Sequence, residues 1–523
     1  MLRTDLIVPI AELVHRHATE RGDKVAFRDA SSAVTYGALA RRSGHLAGHL
    51  AEQGLAPGDR VAILLPNSVA WVESCIAVAR AGGIGVPISV EASDAEIAYR
   101  LTDAACRIVV TTGAHAARIR TLQAEAPDVA TRVVVVGGGD RDALRYEDLA
   151  ERPPATAPRD PTDIDQPAFI IYTSGTTGRA KGVLLSVRSM LWVVAACWSP
   201  IAGLSERDRV LSALPLYHSY ALNLTVLGVL AVGASEHIME KYSTGEAIRL
   251  LRSGDFTLFP GVPTMFHYLL QAAQAEPDFS LDGLRLCLSA GAILPASLNR
   301  EFEARFRVPL LDGYGITETA TMVTMNWPIG GRVPGSCGLP LPGLAVRIVD
   351  PGGGTDVAPG GEGELIVHGP NLMAGYHNKP EETAKALRVG WYHTGDLARA
   401  DANGFLTITG RLKELIIRGG QNIAPAEIEE VVCAVDGVID CAVVGLPHPQ
   451  LGEVPALFVV RDADRDADRV ERGGRVEADG LLAHCRSALS AYKVPHSVHF
   501  VAEIPRTGSG KIIRFKLREM VGA

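Results

Sequence analysis

The run 168–182 limits most what this chain can become. Ala-Phe-Ile-Ile-Tyr at 168–172 is a short apolar stretch rich in β-branched and aromatic residues, which predicts a buried strand. It opens at once into Thr-Ser-Gly-Thr-Thr-Gly-Arg-Ala-Lys-Gly (173–182), with three glycines, four hydroxyls and two cations. Gly175 and Gly178 let backbone N–H groups turn toward a bound anion with no Cβ in the way. Thr173, Ser174, Thr176 and Thr177 add donors, and Lys181 adds a mobile positive charge. A plain turn needs one or two special residues, so this loop predicts a polyphosphate ligand. It is not a P-loop, because no glycine stands at the required spacing before a Gly-Lys-Ser/Thr.

The strand predicted before the loop is one of a series. KVAFRDA (24–30) with Thr35-Tyr36 reads as an edge hairpin, and VAILLP (61–66), IGVPIS (84–89), RIVVTT (107–112) and RVVVVG (132–137) read as buried strands. Helices fall between them, at 37–53 and 68–80, which predicts parallel sheets covered on both faces. Residues 151–166, with prolines 153, 154, 158 and 161, read as a connector between lobes. The strand–helix rhythm resumes at 209–215, 256–263 and 284–292. From about Gly335 it gives way to alternating strands at 344–350, 363–369 and 404–410, the pattern of a small antiparallel barrel or sheet. A compact α+β piece follows Arg411, with helices at 424–435 and 481–489, strands at 440–447 and 456–460, and a charged surface loop at 461–478.

Composition narrows the function. A net charge of −8 without a long basic run argues against nucleic acid as a main partner. The eight cysteines form no Cys-x-x-Cys pair, so buried thiols of a reducing cytoplasm are expected rather than zinc or disulfides. The most apolar stretch, 219–234, is too short to span a membrane and reads as a buried helix. Monomer and homodimer are both compatible with the sequence.

Further segments carry chemistry. In SAGAILP (289–295) and DGYGITETA (312–320), Gly291, Gly313 and Gly315 permit close approach to a flat ligand beside Ala292. Tyr314 can stack on a purine and the Asp312 carboxylate can accept from its exocyclic amine. Thr317 and Glu318 follow the turn, and a carboxylate beside a triphosphate suits a Mg²⁺ ligand. Asp396, closing GWYHTGD, can take two hydrogen bonds from a ribose diol. Arg411 can reach the same sugar or an α-phosphate, and Ile408 is placed to pack on the sugar. Lys511, among the glycines of PRTGSGKI (505–512), suits a cation delivered by a moving loop. His218, in PLYHSYALN, stands at a strand end where a small-molecule pocket lies.

These segments, in this order and over roughly residues 10–520, resemble the adenylate-forming superfamily of acyl-CoA synthetases, coumarate-CoA-type ligases, luciferases and peptide-synthetase adenylation domains. The resemblance implies an α/β fold with two lobes. A large lobe (1–410) would hold two stacked α/β sheets and a small β-barrel, and a small mobile α+β lobe (411–523) would turn about Lys413. It implies that residues 173–178 and Lys181 hold the β- and γ-phosphates, that Asp396 and Arg411 hold the ribose, and that Lys511 bridges the acid and the α-phosphate. It makes His218 the gate of an acyl pocket that also takes Tyr220, Leu224, Ala290, Gly291, Gly315, Thr319 and Thr321, and Gly419-Gly420 the wall of a pantetheine tunnel. No Arg or Lys stands among those pocket residues, so an aromatic or apolar acid is expected. The implied reaction joins a carboxylic acid to coenzyme A at the expense of ATP. The alternative is an adenylating enzyme that loads an acyl carrier protein, or one that performs mainly one half-reaction.

Overall fold

The computed structural model describes residues 2–522 apart from 126–131, 139–142, 174–178, 277, 420, 462–475 and 508–509. Two large sheets dominate the described residues of the large lobe. One has nine strands, in the order Leu339–Pro340, Thr324–Met325, Leu310–Tyr314, Leu286–Ser289, Leu258–Gly261, Arg209–Ser212, Ser235–Ile238, Val25–Arg28 and Ala33–Thr35. The other has eight, in the order Gly375–Tyr376, Lys181–Ser186, Pro167–Thr173, Ile84–Pro87, Arg60–Leu64, Cys106–Thr112, Arg132–Val136 and Leu144–Arg145. Central pairings are parallel, and antiparallel pairs occur toward the ends, as in the Val25–Arg28/Ala33–Thr35 hairpin.

The sheets stack because they share one apolar layer. Val61, Ile63 and Ile171 of one sheet and Val210, Leu258 and Leu286 of the other join a single continuous core with Val72, Ile76, Leu222 and Val226 of intervening helices. The helix Val69–Arg80 lies in that layer and is buried at every residue but Ala70, its Glu73 and Arg80 being paired with Arg42 and Asp160. Its start is set by Ser68, whose side chain accepts from the Trp71 N–H at 3.2 Å.

Residues 151–166 depart from the sequence reading. They do not link lobes, because Pro167–Thr173 returns to the sheet that contains Ile84–Pro87. The segment is instead strapped to helices of its own lobe. Arg80 donates to Asp160 at 2.8 and 3.0 Å, and Arg159 donates to the carbonyls of Ala81 and Leu55 at 2.7 and 2.8 Å. Proline-rich composition marks a segment without ladder partners; it does not say what lies at its ends.

The helix expected at 219–234 is present and buried, but Leu222–Gly228 is wound as a π-helix. Asn223 accounts for the local demand on hydrogen bonds: it donates to the Met190 carbonyl at 2.8 Å and accepts from the Trp198 indole at 2.6 Å. The alternating segments after Gly335 form a five-stranded antiparallel sheet in which Asp396 and Arg411 stand opposite each other.

The small lobe is a five-stranded sheet with helices on both faces. Pro425–Cys433 and Ala478–Ala488 cover one face through Ile428, Val432, Leu481 and Cys485, and Leu517 of Arg514–Met520 packs on the other with Val444 and Phe458. The strands expected at 440–447 and 456–460 are the middles of longer ones, Val438–His448 and Gly452–Arg461. The described part of the charged 461–478 stretch is its edges; the rest lies outside the described residues. No helix among the described residues is long and apolar enough to cross a membrane.

Candidate functional site

The strand Pro167–Thr173 delivers Thr173 to its C-terminal end, and the returning strand begins at Lys181, as the apolar run and the loop composition require. Ser174, Gly175, Thr176, Thr177 and Gly178 lie outside the described residues. Lys181 forms an ion pair with Glu382, and its ammonium stands 5.0 Å from the centre of the Tyr376 ring. The Tyr376 hydroxyl donates to Glu318 at 2.9 Å. Lys181 and Glu318 are therefore joined through one tyrosine.

Glu318 and Thr317 sit in a single 3-10 turn after the strand Leu310–Tyr314. The Thr317 hydroxyl lies 3.3 Å from that of Ser219, next to His218. His218 caps the helix that follows it, with Nδ1 accepting from the Tyr220 N–H at 3.3 Å. Burial, and then the charge of Lys511, push the His218 imidazole down to about 3, so it is neutral near pH 7.

Tyr314 reaches Asp396, its hydroxyl donating to Oδ2 at 2.5 Å, while Arg411 holds Oδ1 at 2.8 Å. Asp396 is 2 % exposed; burial raises its carboxyl, and Arg411 and then Tyr314 oppose the rise. Two elements aim this carboxylate. The ladder sets it opposite Arg411, and Glu364 pins the preceding turn by accepting from the Gly395 N–H at 3.0 Å while its other oxygen meets His393 Nδ1 at 2.9 Å. Ile408 is half-buried on the strand Leu406–Arg411.

Asp312 is buried, its Oδ1 has no partner, and desolvation holds it well above the usual carboxylate range. It lines a cavity of about 270 Å³ with Leu294, Asn299, Asn326 and Ser336. Asn326 Oδ1 is likewise buried without a partner. Two orphaned acceptors beside one cavity suit a ligand that brings N–H donors, such as an exocyclic amine.

The glycines are explained differently from the sequence reading. A Cβ on Gly313 would fall 2.4 Å from the Met322 methyl, and one on Gly315 would fall 1.6 Å from the Thr321 carbonyl. These glycines admit the chain's own returning backbone at 321–324, where the reading had them admit a flat ligand. Gly291, at φ +88°, is needed for its conformation.

Of the expected acyl-pocket residues, Tyr220, Leu224, Ala290, Thr319 and Thr321 are buried. The Tyr220 hydroxyl donates to the Leu288 carbonyl at 3.3 Å and its ring lies 6.1 Å from that of Trp198. Thr321 holds φ +108°, with Oγ1 buried and unpartnered. Ala292 follows the strand that ends at Ser289.

Lys511 comes into the same cluster from the other lobe. Burial lowers its pKa, Arg411 lowers it further, and Glu318, Asp396 and Glu414 act in the opposite direction. The two lobes meet closely here: a Cβ on Gly510 would stand 3.6 Å from Val262. Lys413 is exposed in the short 3-10 turn Leu412–Glu414 between the lobes. Gly419 adopts φ +56° and donates to the Leu451 carbonyl at 2.7 Å; Gly420 lies outside the described residues.

Sequence reasoning passed over Tyr376, Glu382, Glu364 and Ser219. Tyr376, Glu382 and Ser219 touch residues that were found, and Glu364 touches the turn before Asp396; Ser219 stands beside His218 in a segment read for chemistry, and Glu364 in one read only as a strand. No group of three or more His, Cys, Asp or Glu side chains suited to a metal occurs among the described residues.

Comparison with known proteins identifies what the chain as a whole is similar to. Residues 14–377 match the family described as AMP-binding enzyme, and residues 427–511 match the AMP-binding enzyme C-terminal domain. The chain is 36% identical over 514 residues to a feruloyl-CoA synthase from Amycolatopsis sp, covering 97% of this chain and 98% of that one. It is 37% identical over 516 residues to a sulfoacetate–CoA ligase from Cupriavidus necator, covering 97% of each. ATP-bound MatB from Rhodopseudomonas palustris superposes with a TM-score of 0.87 at 34% identity, over 98% of both chains. The anthranilate CoA ligase AuaEII in complex with anthranoyl-AMP superposes with a TM-score of 0.90 at 26% identity, over 99% of both.

Proposed function

The chain belongs to the AMP-binding enzyme family, and from that membership we propose how its residues divide the work of an AMP-forming acid–thiol ligase. In the first half-reaction an acid carboxylate attacks the α-phosphate of ATP, pyrophosphate leaves and an acyl-adenylate forms. In the second, the thiol of coenzyme A attacks the acyl carbon and AMP leaves. The observation that carries the assignment is the arrival of Lys511, from the small lobe, in the same electrostatic cluster as Glu318, Asp396 and Arg411 of the large one.

Bringing a carboxylate to a phosphate sets two anions together, and fixed cations lower that cost most where charge develops. Lys511 supplies this charge. Residues 173–178 and Lys181 hold the β- and γ-phosphates, which requires Lys181 to leave Glu382. Asp396 and Arg411 hold the ribose, Tyr314 packs against the base, and Asp312 accepts from its amine. A lone carboxylate with hydroxyl neighbours fits a hard cation that draws its other oxygens from phosphate and water. Mg²⁺ held by Glu318 would neutralise phosphate charge. His218, neutral and fixed by the Tyr220 N–H, gates the acyl pocket without repelling Lys511. Coenzyme A is the proposed acceptor in preference to a carrier protein, reaching the adenylate along Gly419-Gly420 once the small lobe has turned about Lys413.

The acid is proposed to be aromatic. Tyr220 with Trp198 behind it, Leu224 and Ala290 offer apolar surface, and the feruloyl and anthranilate relatives act on aryl acids by name. Acid-dependent ATP–pyrophosphate exchange, followed by thioester formation with coenzyme A, tests this on one panel. Ferulate and anthranilate should support both reactions, and sulfoacetate and malonate should support neither. Turnover confined to the dianionic acids would refute the apolar pocket.

A further inference from the structure

Arg514, three residues beyond Lys511 and the first residue of the last helix, touches neither the acid nor ATP in the scheme above. Its guanidinium nevertheless binds two functional segments at once. Nε donates to Glu414 at 2.9 Å, and Nη1 donates to Glu429 at 2.6 Å and to the Val443 carbonyl at 2.8 Å. Glu414 adjoins the hinge residue Lys413, and Glu429 lies in the helix after the glycine-rich loop. On the other side of the Lys511 loop, Arg506 holds Asp440 at 2.8 and 2.9 Å and donates to the Gly510 carbonyl at 2.8 Å. The two arginines have different partners to govern. Arg506 holds Asp440, whereas Arg514 holds Glu414, whose charge acts on Lys511 together with those of Arg411, Glu318 and Asp396.

We propose that Arg514 is a positioning residue for acyl-adenylation: by claiming the Glu414 carboxylate it keeps Glu414 from pairing with Lys511. Arg411 does the same for Asp396, at 2.8 Å. Asp396 and Glu414 thus each have an arginine partner and Glu318 has the Tyr376 hydroxyl, and the Lys511 charge is kept for the reacting carboxylate and α-phosphate. Without Arg514 the Glu414 carboxylate is left to the two other cations its charge acts on, Lys511 and Arg411, and an ammonium so paired is a weaker electrophilic partner for substrate. The proposal rests on the role given to Lys511 in the preceding section.

A charge-assignment role and a merely structural brace differ in what a second mutation does. Arg514→Gln should slow adenylation, read as pyrophosphate release, by about tenfold to a hundredfold, less than the 10²–10³ expected for losing a charge donor outright. Capture of chemically made acyl-adenylate by coenzyme A should change by less than about threefold, which also shows that the small lobe is folded. Adding Glu414→Gln should recover adenylation by at least about tenfold, because the competing anion is gone. Arg514→Lys, which keeps a cation beside Glu414, should fall between wild type and Arg514→Gln. A double variant no faster than Arg514→Gln, with the thioester step intact, overturns the proposal. Equal loss of both half-reactions in Arg514→Gln and Arg514→Lys also overturns it and leaves a brace. Lys511→Ala run beside them separates the layers: adenylation surviving there refutes the role of Lys511 itself, independently of Arg514.

Discussion

At the scale of single residues, the site is a set of side chains whose charge is decided by burial and by one or two partners. His218 shows the consequence for pH. Its folded pKa, about 3, lies below the unfolded value near 6.5, so the unfolded chain takes up a proton that the folded chain refuses. Stability is therefore lost as pH falls from 6.5 toward 3, at about 1.4 kcal/mol per pH unit from this group. Urea unfolding at pH 7 and pH 5 should show His218→Gln losing about 2 kcal/mol less than wild type over that interval. Equal losses would mean that the imidazole is not buried as described. Asp396 gives a second case. Its carboxylate is shared by Tyr314 and Arg411, and the adenosine it is assigned to is present in both half-reactions. Asp396→Ala should weaken adenylation and thioester formation together. Measured separately, a loss confined to the thiol step would remove Asp396 from the ribose.

At the scale of elements, the loops after the strands depend on backbone meeting backbone. Gly315 is the sharpest instance, since the Thr321 carbonyl occupies the space a methyl would need. Gly315→Ala must push the 321–324 segment away and should lower the melting temperature by several degrees, consistent with about 2 kcal/mol or more of strain. It should cost adenylation even with saturating ATP. A variant with wild-type melting would show that the segment yields freely. Most strands and the helices 37–53 and 68–80 were legible in the sequence because their apolar runs and caps are local signals. The glycines were legible as special, but not for the right reason, because a close neighbour six residues away leaves no local pattern. The π-wound Leu222–Gly228 escaped in the same way: Asn223 reads as one polar residue in an apolar helix, and its partners lie 25 and 33 positions away. The straps on 151–166 are similarly long-range. The order of the candidate site segments was legible throughout; the parts played by Tyr376, Glu364 and Arg514 were not, since each is defined only by what it touches.

At the scale of the whole molecule, two lobes share one site, and the proposed mechanism needs the small lobe in two places. Lys511 sits with the large-lobe charges, the arrangement the proposed adenylation step requires. Lys511→Ala should cut pyrophosphate release by about 10²–10³ and leave coenzyme A capture of synthetic adenylate nearly intact. Lys413→Pro, which fixes φ near −65°, should do the reverse. Equal loss of both activities in both variants would end the two-position scheme. The position of Arg411 then takes on meaning. It forms a ladder pair with Asp396 on a large-lobe sheet, one residue beyond the bound expected from the sequence, and precedes Lys413 by two residues, so in the proposed scheme both residues assigned to the sugar stay with the large lobe. In that scheme the intermediate is not handed from one lobe to the other; it is moored while the machinery around it is exchanged. In a pulse–chase, labelled acyl-adenylate formed on the enzyme should pass to thioester without dilution by excess unlabelled acid and ATP. Dilution in proportion to the chase would mean that the mooring slips whenever the lobe turns.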